Sequence, residues 1–163
     1  MRSRERSLDT LDDVLANVEA ARLAVTSYSA ATEVANKARA KSAKTAADQE
    51  ASEDEKTFAL ENGTRLLRQA TEDGRVSHQS LQVLRSDHAR LELRFGNDDS
   101  ITKTQEGIRK CLREWEKLAD VILAEQRDWT DEERALEEEV MKRLAVLTAL
   151  FRNECRTWES SES

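Results

Sequence analysis

The chain has 163 residues, a net charge of −7, 36% charged side chains and no proline. An acidic balance of this kind excludes the basic footprint of a nucleic-acid binder. Average usage would supply about eight prolines, and the absence of the strongest helix breaker predicts a chain that is nearly all helix.

Leu, Ile, Val and Phe together make up only about a fifth of the residues. That is too little for a thick globular core and enough for a narrow apolar seam. The expectation is therefore all-α: an elongated antiparallel bundle or coiled coil of long helices, in a single helical domain over residues 1–163. No run approaches the roughly 18 apolar residues of a membrane span, and no apolar stretch follows the basic start Met1–Arg6 as a secretory signal would require. Cys111 and Cys155 are too few and too far apart for a disulfide framework, which points to a reducing, cytoplasmic setting.

In chain order, the first helix is expected over about 8–48. Thr10 with Asp13 resembles a capping box, and Asp9, Asp12 and Asp13 suit the positive end of the helix dipole. Heptads counted from Leu11 give Leu11, Val14, Val18, Ala21, Val25, Tyr28, Thr32 and Ala35. The seam then fades into the alanine-rich stretch Asn36–Ala47, which carries Lys37, Arg39, Lys41 and Lys44 and no acid. Each such charge near an anionic membrane is worth about 1 kcal/mol. These four are the candidate membrane contacts, and a dimer would double their number.

A second helix is expected over about 56–95, with a break near 72–76 where Asp73-Gly74 reads as a turn. Leu81, Leu84, His88, Leu91 and Phe95 restore helical spacing. Gly96 then suits a helix end, with Asp98 or Ser100 as the cap of the next helix.

The last helix is expected to run unbroken over 101–159, spanning roughly 85 Å. Ile108, Trp115, Ile122, Trp129 and Leu136 are spaced seven apart, with Cys111 and Leu118 between them. Beyond Leu136 the spacing shifts to Val140, Leu144, Leu147, Phe151, Cys155 and Trp158, which reads as a change of supercoil hand along one helix. The predicted packing or dimer seam is Val14, Val18, Val25, Ile108, Trp115, Ile122, Trp129, Leu136, Leu144, Leu147, Phe151 and Trp158.

No constellation points to catalysis or to a metal. Glu-x-x-His pairs build di-iron centres in bundles, but Arg75 and Arg85 stand three residues before His78 and His88. No glycine-rich phosphate loop occurs, and no local base accompanies either cysteine. The acidic run from Asp131 to Glu139 reads as a solvated helix face. The expectation is a non-enzymatic protein without cofactor, metal or small-molecule substrate.

Two segments resemble sorting-nexin BAR domains. Val140-Met141-Lys142-Arg143-Leu144-Ala145-Val146-Leu147, followed in register by Trp158-Glu159, is similar to the end of that family's final helix. Asp13-Val14-Leu15-Ala16-Asn17-Val18 with Arg22-Leu23-Ala24-Val25 is similar to the start of its middle helix, although Val14 stands where the family has an aromatic. The resemblance implies a BAR-like dimer, with itself or with a homologous helical protein. It implies peripheral binding to anionic, phosphoinositide-bearing endosomal membranes in protein sorting. The alternative from the residues alone is a coiled-coil scaffold or adaptor subunit that pairs with another protein and does not touch a membrane.

Overall fold

The computed structural model describes residues 2–161. It consists of α1 (Arg2–Ala47), α2 (Glu53–Phe95), α3 (Ser100–Glu125) and α4 (Asp131–Ser161), with no strand among the described residues. The all-α expectation holds. Several element boundaries differ from the expected ones, and the differences have local causes.

Helix α1 begins at Arg2, so Thr10 lies inside it. Its hydroxyl turns back to donate to the Arg6 carbonyl at 2.8 Å instead of capping a terminus. The heptad from Leu11 to Ala35 is buried along its whole length. Helix α2 starts behind Ser52, whose Oγ accepts from the Glu55 amide, with three acids in the first turn. It runs through 72–76 without the expected break. Gly74 marks a close approach between helices: a Cβ there would sit 2.9 Å from Cε1 of Tyr28. Gly96 ends α2 at φ 90°, and Asp99, rather than Asp98 or Ser100, caps α3 by accepting from the Ile101 amide at 2.8 Å.

The expected 101–159 helix is two helices. Gln126 takes the left-handed conformation at φ 56°, and the chain reverses over residues 126–130. Several contacts hold the reversal. Asn36 of α1 donates through Nδ2 to the carbonyls of Ile122 at 3.0 Å and Arg127 at 2.8 Å. Arg127 bonds Glu125 and Glu133, the latter through Nη1 at 2.6 Å. Thr130 and Glu133 form a reciprocal capping box, Glu133 N to Thr130 Oγ1 at 3.1 Å and Thr130 N to Glu133 Oε1 at 2.9 Å. Arg127 lowers the Glu133 carboxyl to about 2. The shift from seven-residue to eleven-residue spacing is therefore the trace of a reversal between two helices. It is not a change of supercoil hand.

The helices alternate in direction. Asn17 bonds Asp87 at 2.8 Å, Gln105 bonds the Leu84 carbonyl at 2.9 Å, and Arg134 bonds Glu33 at 2.8 Å. Helices α1 and α3 meet across the short diagonal, while α2 and α4 sit at outer corners with their backbones apart. A single core joins all four, with Leu11, Leu84, Ile108, Leu112 and Phe151 fully enclosed.

The predicted seam is thus covered by the chain's own helices. Val14, Val18, Val25, Ile108, Trp115, Ile122, Trp129, Leu144 and Phe151 are buried, and Leu147 and Trp158 pack partly buried against the core. Trp158 meets Phe95 edge-on with ring centroids 5.6 Å apart. Leu136 is the correction. It is 49% exposed, because the reversal starts a new helical phase and leaves its side chain on the outer face of α4.

Helices α1 and α2 continue past the α3–α4 reversal as a two-helix arm. From Lys37 to Gln69 no residue is buried, and the arm's first wholly enclosed side chain is Ala70 at its base. The α1 part of the arm is about 16 Å long and the α2 part about 25 Å.

Candidate functional site

Side chains that leave the core fall into three groups: a polar ladder between helices, the arm, and a groove on the outer face of α3 and α4.

The ladder is made of carboxylates held by neighbours on other helices. Asp87 accepts from Asn17 and pairs with Arg90, which also reaches Asp13 at 3.2 Å. Glu116, nearly enclosed, accepts from Ser77 Oγ at 2.5 Å and lies 3.6 Å from His78 Nδ1. Glu137 accepts from Ser29 at 2.8 Å and from the Trp115 indole at 3.0 Å. Tyr28 donates to Asp120 at 2.5 Å. Burial, and then that bond to Asp120, push the Tyr28 hydroxyl above its ordinary range, so it stays a neutral donor. These bonds fix the register between helices, because an unpaired buried carboxylate or hydroxyl costs more than the bond contributes.

Cys111 and Cys155 are buried free thiols in the core. Burial raises Cys111, and burial followed by Glu159, Glu154 and Asp12 pushes Cys155 up to about 12. Thiols held in this form are packing groups, since the thiolate is the reactive species. His88 is half-buried, with Nε2 2.7 Å from Glu92. Among the described residues no group of His, Cys, Asp and Glu is arranged to hold a metal ion. No described helix is long and apolar enough to cross a membrane.

The structure divides the four basic candidates. Lys37, Lys41 and Lys44 recur at i, i+4 and i+7 on the exposed side of α1, and Lys37 is tied to Glu33 at 3.0 Å. Arg39 faces α2 instead and is half-buried beside Ser42, Leu60, Gly63 and Leu67, in a groove of about 150 Å³. The reversal that follows carries Asp48 and Glu50, and the first turn of α2 carries Glu53, Asp54 and Glu55, all exposed. The arm's end therefore mixes both signs. It also presents Phe58, 73% exposed, and Leu60, 63% exposed.

The third group lines a groove of about 460 Å³ between the outer faces of α3 and α4. Leu118, Val121, Leu136 and Val140 form its floor, and Glu114, Lys117, Glu139 and Arg143 form its rim. Arg143 reaches Glu114 at 3.4 Å across the groove.

The sequence pattern does not single out Asn36, Asp87, Glu116 or this groove, and the solvated face expected for Asp131–Glu139 is corrected at two positions: Glu137 turns inward to Ser29 and Trp115, and Glu133 turns to Arg127 and Thr130. Asn36 adjoins the heptad residue Ala35, and the Thr130-x-x-Glu133 spacing was a legible start signal for α4. The groove had no such signal, since it exists only after α3 and α4 fold back on each other. Compared with known proteins, the chain matches no family model, no curated protein and no solved structure.

Proposed function

We propose that this protein is a non-enzymatic helical adaptor whose four-helix body holds the two-helix arm out toward a protein partner. One observation carries the reading. The apolar seam is closed inside one chain, while the arm projects with no buried residue and exposes Phe58 and Leu60 at its end. A helical hairpin whose facing residues are Arg39, Ser42, Gly63 and the incompletely covered Leu60 and Leu67 gains little from its own packing. Exposed aromatic and leucine side chains on such an element are suited to burial against another surface.

The membrane reading implied by the sorting-nexin BAR resemblance draws support from Lys41 and Lys44, which are exposed on the same arm as Phe58. The exposed acids from Asp48 to Glu55 weigh against it, because they follow the same lysines in the chain and carry the sign an anionic surface repels.

A photoreactive amino acid in place of Phe58 tests the adaptor reading in cells. The expected result is a discrete protein adduct, absent when the same group replaces Ser27, an exposed position on the body, and lost on adding Leu60→Asp. Equal labelling at both positions overturns the reading. So does co-sedimentation of the purified chain with anionic vesicles that high salt abolishes, in which case the endosomal membrane role takes its place.

A further inference from the structure

The geometry points to a second copy of this chain as the occupant of the α3–α4 groove, related by a two-fold axis that runs along the groove. The inference rests on reading the protein as an interaction module and assigns a self-association surface to the body.

The groove is spare apolar surface. The core seam is already covered, yet Val121 and Leu136 remain nearly half exposed beside Leu118 and Val140. Its rim has a definite charge order. Because α3 and α4 are antiparallel and joined by a short reversal, Val121 and Leu136 share the end nearest the turn. Lys117 and Glu139 lie next, followed by Glu114 and Arg143, which meet at 3.4 Å. At each level the two rims carry opposite charges.

A two-fold axis along the groove keeps each level at its own height and exchanges the two sides. Helix α3 of one copy then lies over α4 of the other. Lys117 faces the partner's Glu139, Glu114 faces the partner's Arg143, and Val121 faces the partner's Leu136. Each charged level becomes a ring of alternating sign, and the apolar level closes on itself. This is the self-complementarity an isologous interface requires. A two-fold axis across the groove would instead bring the apolar end of one copy over the charged end of the other, burying unpaired charge. A heterologous helix could match the apolar floor, but nothing would require the two rims to mirror each other.

The test is sedimentation velocity of the full chain over a range of concentrations, with thermal melts confirming that each variant folds. The wild type is expected to form a dimer. Leu136→Lys, at an exposed position, weakens it about tenfold or more by placing a charge in the apolar level. Lys117→Glu and Glu139→Lys each weaken the dimer by a similar factor, about tenfold, since each sets like charges opposite one another twice. Mixing Lys117→Glu chains with Glu139→Lys chains restores association, because both cross-contacts again join opposite charges. That recovery is specific to the proposed axis.

A wild type that stays monomeric throughout, or a dimer indifferent to Leu136→Lys, or a mixture that fails to recover, overturns the inference. A protein of another kind that co-purifies with the wild type and is lost in Leu136→Lys overturns it too. The outcome is separable from the adaptor reading, because labelling at Phe58 reads the arm whether or not the body dimerises.

Discussion

The arm continues two of the body's four helices, yet the two regions behave as different materials. In the body, α1 presents Leu11, Val14, Val18 and Val25 to three other helices, and these side chains are enclosed. In the arm the same heptad phase continues through Arg39 and Ser42, facing only α2 around Gly63 and Leu67. Each enclosed aliphatic contributes about 1.5–3 kcal/mol, so the body accumulates stability that the arm lacks. Helix propensity is high in both. What differs is the number of neighbours available to cover a side chain, and this leaves the arm with surface to offer a partner.

Substitutions can break or sharpen that contrast. The largest effect is expected at Phe151, which is wholly enclosed in the body. Phe151→Ala should cost about 3–5 kcal/mol in chemical unfolding, whereas Leu67→Ala in the arm should cost less than about 1 kcal/mol, since its side chain is only partly covered. Equal losses would erase the distinction. Next comes Gly74, on the body segment of α2. Gly74→Ala sets a methyl 2.9 Å from the Tyr28 ring, which Asp120 holds in place. The overpacking outweighs the propensity gain and leaves a net loss of about 1–2 kcal/mol, read as a lower melting temperature.

A smaller effect concerns the reversal that caps the body. Glu133 is held down to about 2 by Arg127 in the folded chain, against an ordinary carboxyl value of about 4.3. Between those values the unfolded chain binds the proton and the folded chain does not, so stability rises with pH there. The contribution is fully present above about 4.3 and is lost as pH falls toward 2. The pair is close to solvent, so the amount is at most about 1 kcal/mol. Glu133→Gln should flatten the acid limb of the stability–pH curve by that amount, and an unchanged limb would show the contact to be inert. The smallest effect has the opposite sign. Gly63→Ala, in the arm, meets its nearest atom at an ordinary 3.8 Å. It should stabilise by about 0.5–1 kcal/mol through helix propensity alone. Two glycines on one helix thus give opposite signs, and matching signs would mean that arm and body are packed alike.

Much of the body was legible in the sequence. The heptad from Leu11 to Ala35 is buried as counted, and Gly96 closes α2 where its conformational freedom is needed. The tryptophans Trp115 and Trp129 are buried as packing groups, and Trp158 packs against Phe95. The reversal at 126–130 is not legible in the sequence, because it holds neither glycine nor proline. Gln126 at φ 56° ends α3 with its amide still bonded to the Ile122 carbonyl, and Asn36, a residue far away in the chain, donates to that carbonyl and to the Arg127 carbonyl. The same reversal puts Leu136 on the outer face, outside the expected seam, and creates the α3–α4 groove that it lines. Of the candidate contacts on the arm, Lys37, Lys41 and Lys44 could be placed on one face by spacing. The inward turn of Arg39 and the exposure of Phe58 depended on how α2 lies against α1.

The sequence by itself determined that this chain is helix almost throughout and which stripe of each helix is apolar, because propensity and periodicity are local properties. Only the tertiary structure decided that the final stretch doubles back and that four stripes close on one another within a single chain. It also decided that one hairpin extends past the rest. Those outcomes turn on which long-range burial and hydrogen bonds compensate the cost of interrupting a helix, and neither propensity nor spacing contains that comparison.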